Sequence, residues 1–528
     1  MTDYASPLDF NTFVLLTSVR LILVISPFGG LNGPVAETSR KIPLTDYIMH
    51  KKWLSTLACF ILVVNVSMAQ EGYRVVLKTP SYKSGLAYLT YHMGKNLNIQ
   101  DSAIVSSLGV AEFKGTKNLP GGIYSIVFPG KNLSMDFLVD KSQDISIKVD
   151  TSNLAGAVIT GSPENQLFKE YQAYIADKGR LLHLARTSYN NAKTKEDSVK
   201  FEAEYVRLNK ELSDYREGVI KNHPESMMAA LFNAMKEPPV LDKKLVTRQD
   251  TLDNYYYYKA HYWDGITFMD DRIVRTPFFL PKLERYYREI MPQSADSLKK
   301  DIDYKLLLAR TAPEMYKFLL NWLTDEYINP KYMGLDAVFV HLFEKYHSKG
   351  LTSWLNEKQM ETITKRAYMQ MANLIGEKAA NLEMTDSTGK QKNLYDVNAD
   401  FLVVIFWDPN CGHCKEEVPR IDSAYHASWK SHGVKLYAVM IEPGQVPAWV
   451  KYTQEHKLND WIHVYQTKER EKADTDAQRP SFRQLYDVTM TPTLYLLDKE
   501  KRIIGKKLSW KQLNDFMEVK WKEKEKKP

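Results

Sequence analysis

The sequence predicts a multidomain protein with an N-terminal β-sandwich, a central α-helical region and a C-terminal α/β domain. The spacing of apolar residues changes twice along the chain, from short strand-like runs to helical 3- and 4-residue steps, and then to an alternation of both. A chain of 528 residues is too long for one hydrophobic core. With 44% hydrophobic and 26% charged residues, its composition is that of folded globular domains.

A short apolar run near the start has the features of a secretory signal peptide. It follows His50-Lys51-Lys52, carries no charge over residues 53–66 and ends in Ser67-Met68-Ala69. A basic start, a short apolar middle and small residues at the end are the parts that a signal peptidase substrate needs. We therefore predict that residues 49–69 are a signal peptide, that Gln70 begins the mature chain, and that the protein is periplasmic or otherwise in the cell envelope.

Residues 1–48 do not fit a signal that begins the protein. Met49 is internal, and a second apolar stretch lies upstream at residues 13–25. We interpret Met49 as the true start and residues 1–48 as a mis-assigned start. The alternative is an extra N-terminal segment that anchors the chain, so membrane contact is expected only through the signal or this anchor.

The chain has three cysteines, at Cys59, Cys411 and Cys414. Cys59 lies within the predicted signal and would leave with it. A lipid anchor on Cys59 is the alternative, but the residue three positions earlier, Thr56, is not the usual leucine. The mature chain would then keep a single cysteine pair in an exported compartment.

Residues 70–162 read as short strands that are rich in β-branched and aromatic residues and bounded by turn residues. A strand about every ten residues predicts a small β-sandwich. No cluster of chemically reactive side chains stands out, which favours a folding or docking module. The predicted strands span residues 73–78, 86–92, 102–106, 112–115, 122–128, 135–139, 145–149 and 157–160.

Residues 163–372 are predicted to be helical. Pro163 suits the first position of a helix, and the clearest amphipathic pattern covers residues 201–219. Prolines interrupt the pattern repeatedly, so several helices of moderate length are expected. The aromatic cluster at residues 254–263 could be a sugar or peptide platform, but aromatic residues at helical spacing are more often core and interface, which we predict here.

Residues 373–528 contain the stretch on which the functional prediction depends. A buried strand is predicted at 401–407, and after a short bend Cys411-Gly412-His413-Cys414 begins a helical pattern. A cysteine at a helix N-terminus meets unpaired backbone N–H groups and the positive end of the helix dipole, which favour its thiolate. A second thiol within one turn can reach back to close a disulfide. The chemistry indicated is thiol–disulfide exchange.

The order of strands and helices around this motif is that of the thioredoxin fold. Residues 376–521 resemble the TlpA/ResA-like thiol–disulfide oxidoreductases of the bacterial cell envelope. The matching residues are Phe406-Trp407, the Cys-Gly-His-Cys motif, Glu417-Val418-Pro419 and Thr491-Pro492-Thr493. The regions upstream resemble the N-terminal extensions that precede such domains in Bacteroidetes.

The resemblance implies a role for each matching residue. Cys411 is expected to be the attacking thiolate, and Cys414 the buried thiol that resolves the mixed disulfide. Pro492 matches the cis-proline of the family, which leaves the backbone of Thr491 free to pair with an extended substrate. Glu417 matches an acidic residue that helps to move the proton of the buried thiol.

Two departures from ordinary thioredoxins accompany this match. Two residues before Trp407, where thioredoxins carry a buried aspartate, this chain has Ile405, which gives Glu417 more weight as the proton acceptor. The residue before the first cysteine is Asn410 instead of tryptophan. That substitution changes the surface that a partner meets, on which we place Trp407 and Thr491 as substrate-binding residues.

His413 bears on the redox potential. A partly protonated imidazole beside Cys411 stabilises the thiolate and hence the reduced dithiol, so the disulfide becomes a stronger oxidant. We predict a less reducing pair than that of thioredoxin. The alternative is that His413 is a solvent-facing spacer without effect.

The expected partners are protein thiols and disulfides and an unidentified envelope redox partner, with no cofactor and no metal. A net charge of +7 is modest for this length and does not indicate nucleic-acid binding. Two other classes stay open: an envelope binding or scaffold protein with a secondary thioredoxin-like domain, and a metal site on the two cysteines and a histidine. The chain has no second cysteine pair to complete four ligands, which disfavours the metal site.

Overall fold

A computed structural model describes residues 72–525 of the chain. The predictions for residues 1–48, for the signal peptide 49–69 and for Cys59 lie outside the described residues. Among residues 72–525, no helix is both long and apolar enough to cross a membrane.

The N-terminal part is a sandwich of two four-stranded sheets, as predicted. Its strands are β1 (Tyr73–Lys78), β2 (Leu86–Met93), β3 (Asn96–Ile104), β4 (Val110–Gly115), β5 (Gly122–Val127), β6 (Ser134–Val139), β7 (Asp144–Asp150) and β8 (Asn153–Thr160). One sheet has the order β4-β1-β7-β8 and the other β3-β2-β5-β6, and side chains from both sheets form one core. Strand β3 starts earlier than the predicted 102–106, because this edge strand is largely exposed and has little apolar periodicity.

The central part is helical, also as predicted. It contains α1 (Pro163–Asn190), α2 (Lys195–Asn222), α3 (Met227–Met235), α4 (Arg248–Ala260), α5 (Phe279–Arg285), α6 (Ala295–Leu308), α7 (Pro313–Ile328), α8 (Asp336–Leu342) and α9 (Glu357–Met371). Helix α1 begins with Pro163 at its first position, after the Ser162 cap. Helices α5 to α9 enclose a large core of leucine and aromatic side chains.

The sandwich and the helices share a small core of their own. Ile123 and Leu138 of the sandwich pack against Met228 and Phe232 of α3. At the start of α1, the buried Asn165 accepts a hydrogen bond from the Leu138 N–H at 2.8 Å and donates one to the Leu138 carbonyl at 2.7 Å. Because this side chain satisfies the sandwich backbone, the first helix is fixed to the strand beside it.

The C-terminal part is an α/β domain with a seven-stranded sheet. Its elements are β9 (Glu383–Thr385), β10 (Gln391–Asn393), β11 (Phe401–Trp407), α10 (Gly412–Ala424), β12 (Val434–Met440), α11 (Val446–Glu455), β13 (Ile462–Tyr465), α12 (Lys468–Asp476), α13 (Phe482–Leu485), β14 (Thr493–Asp498), β15 (Ile503–Lys506) and α14 (Trp510–Glu525). The strand order is β10-β9-β13-β12-β11-β14-β15. Strand β11 pairs in parallel with β12 and antiparallel with β14, which is the thioredoxin arrangement that the sequence predicts.

Candidate active site

The dithiol lies where the buried strand β11 ends and helix α10 begins. Cys411 is the residue that precedes the first helical turn, and Cys414 lies within that turn. A tight bend joins the two elements: the Cys411 N–H donates to the Asp408 carbonyl at 3.1 Å, and the Asn410 N–H donates to the Asp408 carboxylate at 2.8 Å. Both cysteines are free thiols in this structure. The bend therefore presents two thiols at the positive end of a helix.

Cys411 is the more accessible thiol. Its Sγ lies 3.5 Å from the Thr491 carbonyl oxygen, to which the thiol can donate. Partial burial opposes ionisation, but hydrogen bonds from the Thr491 side chain, from the Cys414 backbone and thiol, and from the His413 backbone hold the pKa of Cys411 below its ordinary value. Part of the thiol population is therefore ready to attack at neutral pH.

Cys414 has the opposite environment. Its side chain is buried in the core that Trp407, Val418 and Trp449 also form. Burial raises the pKa of Cys414 to about 12, although a backbone hydrogen bond from Asp408 acts in the other direction. This thiol stays protonated until something removes its proton.

The loop before β14 faces the dithiol. The Thr491–Pro492 peptide bond is cis, which is the geometry that the resemblance implies. Both residues are half-buried, whereas the preceding Met490 is 72% exposed. The Thr493 hydroxyl donates to the Met490 carbonyl at 2.7 Å and tightens the loop. An apolar side chain thus lies in solvent next to the reactive sulfur.

Glu417 lies one turn beyond Cys414 and is half-buried. Its carboxylate accepts a hydrogen bond from the Trp510 N–H at 3.3 Å, so it caps the start of α14, and it lies 3.6 Å from the Arg420 guanidinium. These contacts give Glu417 a structural role in the described chain. Its role as a proton acceptor stays a prediction.

The other two predicted site residues, His413 and Trp407, differ in their exposure to solvent. His413 is exposed on the first turn of α10, beside Cys411 in sequence. Trp407 is fully buried, so it lies behind the dithiol rather than on the surface that a substrate meets. Any effect of Trp407 on substrate binding must pass through the residues that cover it.

Behind Trp407 lies a partly buried aromatic cluster that sequence reasoning missed. The Trp407 ring meets Tyr452 edge-on at 5.4 Å, and His463 lies 6.5 Å from Trp407 and 6.3 Å from Trp449. In each of these four side chains, one buried polar atom has no hydrogen-bond partner. Burial and then the charge of Cys414 raise the pKa of Tyr452, so this cluster belongs to the surroundings of the inner thiol. The four residues are scattered over 57 positions, from Trp407 to His463, and no motif marks them.

Within residues 72–525, no group of three or more histidine, cysteine and acidic side chains is arranged to hold a metal ion.

Comparisons with known proteins divide the chain in the same way as the fold. Residues 375–506 match the AhpC/TSA family, and residues 73–168 match a domain of unknown function, DUF4369. The thiol-disulfide oxidoreductase ResA of Bacillus subtilis is 26% identical over 129 residues, which are 24% of this chain and 64% of that protein. The chain thus spans less than two thirds of this relative.

Two solved structures are also similar. A domain of a possible thiol-disulfide isomerase from Cytophaga hutchinsonii is 35% identical, with 29% of this chain and 97% of that chain covered and a TM-score of 0.26. A thioredoxin-like protein from Bacteroides caccae is 20% identical, with 54% of this chain and 99% of that chain covered and a TM-score of 0.41.

The seven-stranded sheet, with two thiols at the start of the helix that follows its interior strand β11, defines a thioredoxin-like domain. The family match and the curated relatives specify it further. The C-terminal domain of this chain is TlpA/ResA-like.

Proposed function

We propose that the protein is a periplasmic thiol–disulfide oxidoreductase that exchanges disulfides with protein substrates through Cys411 and Cys414. The observation that carries the proposal is the contrast between the two thiols. The accessible one has a lowered pKa, and the buried one, within the same helical turn, has a pKa of about 12. A nucleophile with a protonated thiol in reserve is what two-step exchange requires.

In the reductive direction, the Cys411 thiolate attacks one sulfur of a substrate disulfide. A mixed disulfide forms, and the other substrate sulfur leaves as a thiolate that takes up a proton. Cys414 then loses its proton and attacks the Cys411 sulfur, which releases the second substrate thiol. The substrate gains two electrons and the enzyme keeps a Cys411–Cys414 disulfide. The oxidative direction is the reverse of these steps.

The loop that carries Thr491 supplies the binding surface. Its backbone lies beside the Cys411 sulfur, where an extended peptide can pair with it. Exposed Met490 offers a flexible apolar contact to residues that flank a substrate cysteine. The Thr491 backbone and the Met490 side chain together are suited to bind unstructured or locally unfolded segments of exported proteins.

The N-terminal sequence and the resemblance support the proposed location and electron partner. The signal-like residues 49–69 support export, and export requires an envelope redox partner to reset the dithiol. Cell fractionation of the full chain, with mass spectrometry of the mature N-terminus, tests this part. A mature chain that begins at Gln70 supports it, whereas a peptide covering residues 2–40 or a cytoplasmic chain contradicts it.

Trapping tests the activity. A Cys414→Ala variant of the full chain should accumulate mixed disulfides through Cys411, because the second attack is removed. The matched control, Cys411→Ser with Cys414→Ala, should trap nothing. If both variants give the same reducible adducts, the proposal is wrong.

One observation favours the scaffold alternative: residues 73–168 match a domain of unknown function and, with the helices, make up most of the described chain. An experiment in cells distinguishes the two functions. Cellular function that survives Cys411→Ser favours a scaffold, and its loss favours the oxidoreductase.

A further inference from the structure

The helical region and the thioredoxin-like domain are joined by buried ion pairs. Asp487, which follows α13, is only 2% exposed. Its carboxylate accepts a hydrogen bond at 2.5 Å from Arg366 of α9, and its second oxygen pairs with Lys507, which follows β15. Arg366 also donates to the Ile328 carbonyl at the end of α7, at 3.2 Å. One arginine thus connects two helices of the central region to one carboxylate of the catalytic domain.

Asp487 occupies the start of the loop that faces the dithiol. It has a left-handed backbone conformation, with φ of 45°, and lies four residues before Thr491. Hydrogen bonds hold the residues on either side of Asp487. The Val488 N–H donates to the Arg483 carbonyl at 2.9 Å, and the Tyr495 hydroxyl donates to the Tyr486 carbonyl at 2.5 Å. The position of Asp487 therefore fixes where the loop begins.

A second buried ion pair fixes the other side of this loop. Lys506, at the end of β15, pairs with Asp336 of α8 and donates to the backbone and side-chain oxygens of Asn373 at 2.8 and 2.9 Å. Strand β15 pairs with β14, which follows Pro492 directly. Residues of the helical region therefore hold the loop both before and after Thr491.

A buried charge such as the Asp487 carboxylate is stable only where its cationic partners are close to it. An unpaired carboxylate at a site that is 2% exposed is strongly disfavoured, so Asp487 must stay close to its cations. Exposed salt bridges have no such effect, because water replaces the lost partner. The network consequently ties loop geometry to the docking of the helical region.

We propose that Arg366 of the helical region is a positioning residue for the dithiol. It acts through Asp487, which holds the loop so that Thr491 remains against the Cys411 sulfur. The inference rests on the proposed function and gives residues 163–372 a part in it: they set the reactivity of a thiol that they do not touch.

Substitution of Arg366 in the full chain tests the proposal. Arg366→Met keeps the length of the side chain and removes its charge. We expect Cys411 to react about 3- to 10-fold more slowly at neutral pH with iodoacetamide and with a disulfide-containing peptide, within the range seen when residues along a coupling network are changed. The pH at which alkylation reaches half its maximum should rise, because the hydrogen bond from the Thr491 side chain, which favours the Cys411 thiolate, is weakened. Arg366→Lys should restore most of the rate.

The control is Arg288→Met, since Arg288 pairs with Glu326 at 2.6 Å inside the helical region alone. It should leave the alkylation profile unchanged. Asp487→Asn should reproduce the Arg366→Met effect, and the double variant should be no slower than either single one.

Two outcomes overturn the proposal: a lower melting temperature of Arg366→Met with an unaltered alkylation profile, or fully additive effects in the double variant. A different result would contradict the proposed function, namely a wild-type chain that does not exchange disulfides. Alkylation needs no substrate, so each idea can fail without the other.

Discussion

The outer and inner faces of the first turn of α10 give two cysteines opposite properties. Cys411 lies at the surface, where backbone N–H groups and Thr491 stabilise its thiolate. Cys414 lies inside, against Trp407 and Val418, and burial keeps its proton in place. The residue type and the helix are the same, so the surroundings alone cause the difference.

The comparison shows which parts of the fold determine the reactivity of each thiol. The outer thiol depends on a loop, and that loop depends on Asp487 and on cations that other parts of the fold supply. The inner thiol depends on its burial in the core of the domain, and it interacts electrostatically with Tyr452. The two thiols also affect each other, so each prediction below changes one residue and follows both steps or both thiols where it can.

The largest effect is expected from removal of the outer sulfur. Cys411→Ser in the full chain should lower the reduction of an insulin disulfide by at least about 10³-fold, because a hydroxyl ionises far less than a thiol and cannot form the mixed disulfide. The rate of insulin precipitation with dithiothreitol as electron donor measures it. Cys414→Ala should still form the first adduct. Substantial activity in Cys411→Ser would show that Cys411 is not the nucleophile.

Alkylation compares the two thiols directly. At pH 7 we expect iodoacetamide to modify Cys411 more than about 100-fold faster than Cys414, because thiolate, not thiol, reacts. The thiolate fraction falls tenfold for each pH unit below the pKa. Between pH 7 and 9 the Cys414 rate should therefore keep rising, with its pKa of about 12, while Cys411 levels off at a lower pH than free cysteine does.

The control for this measurement is the unfolded protein. In urea the two cysteines should react at nearly equal rates, since burial and the helix are gone. Peptide mass spectrometry at each pH distinguishes the two sites. Equal rates in the folded protein would remove the contrast on which the mechanism depends.

Much of this fold was predictable because its periodicity is strong. The predicted strand 401–407 has the observed bounds Phe401–Trp407, since every one of its side chains is apolar and the strand is central in the sheet. Helix α12 was not predicted, because Lys468–Asp476 has no buried residue and hence no apolar stripe. The predicted domain boundaries at 162 and 372 stay predictions.

The site divides in a similar way. The sequence places Cys411 and Cys414 at the head of a helix, since local spacing determines that position. The pairing of Arg366 with Asp487 joins residues 121 positions apart, and nothing local marks either one. The aromatic cluster around Tyr452 and His463 is also assembled by packing alone. Sequence patterns identify the reacting atoms better than the residues that tune them.

The Glu417→Gln variant tests how the proton of Cys414, on the inner face, is removed. We expect the mixed disulfide to be resolved about 10- to 100-fold more slowly, at the low end of what a positioned acid or base contributes, with the first attack unchanged. Glutamine keeps an oxygen that can accept from the Trp510 N–H, so the start of α14 should stay capped. Quenched-flow measurement of the adduct with a disulfide peptide follows both steps.

Glu416→Gln is the matched control for this variant, because Glu416 is its exposed neighbour. It should resolve the adduct at the wild-type rate. If the two variants behave alike, Glu417 is a cap for α14 and the inner proton leaves by another route.

The smallest effect is expected at His413, on the outer face. His413→Ala should lower the reduction potential by about 30 mV, a roughly tenfold change in the equilibrium with glutathione, because the Cys411 thiolate loses the imidazole beside it. His426→Ala, on the continuation of the same helix and paired with Asp422 and Asp460, is the control and should leave the potential unchanged. A potential that does not depend on His413 would make this residue a spacer and leave the backbone hydrogen bonds and the Thr491 side chain as the source of the acidity of the outer thiol.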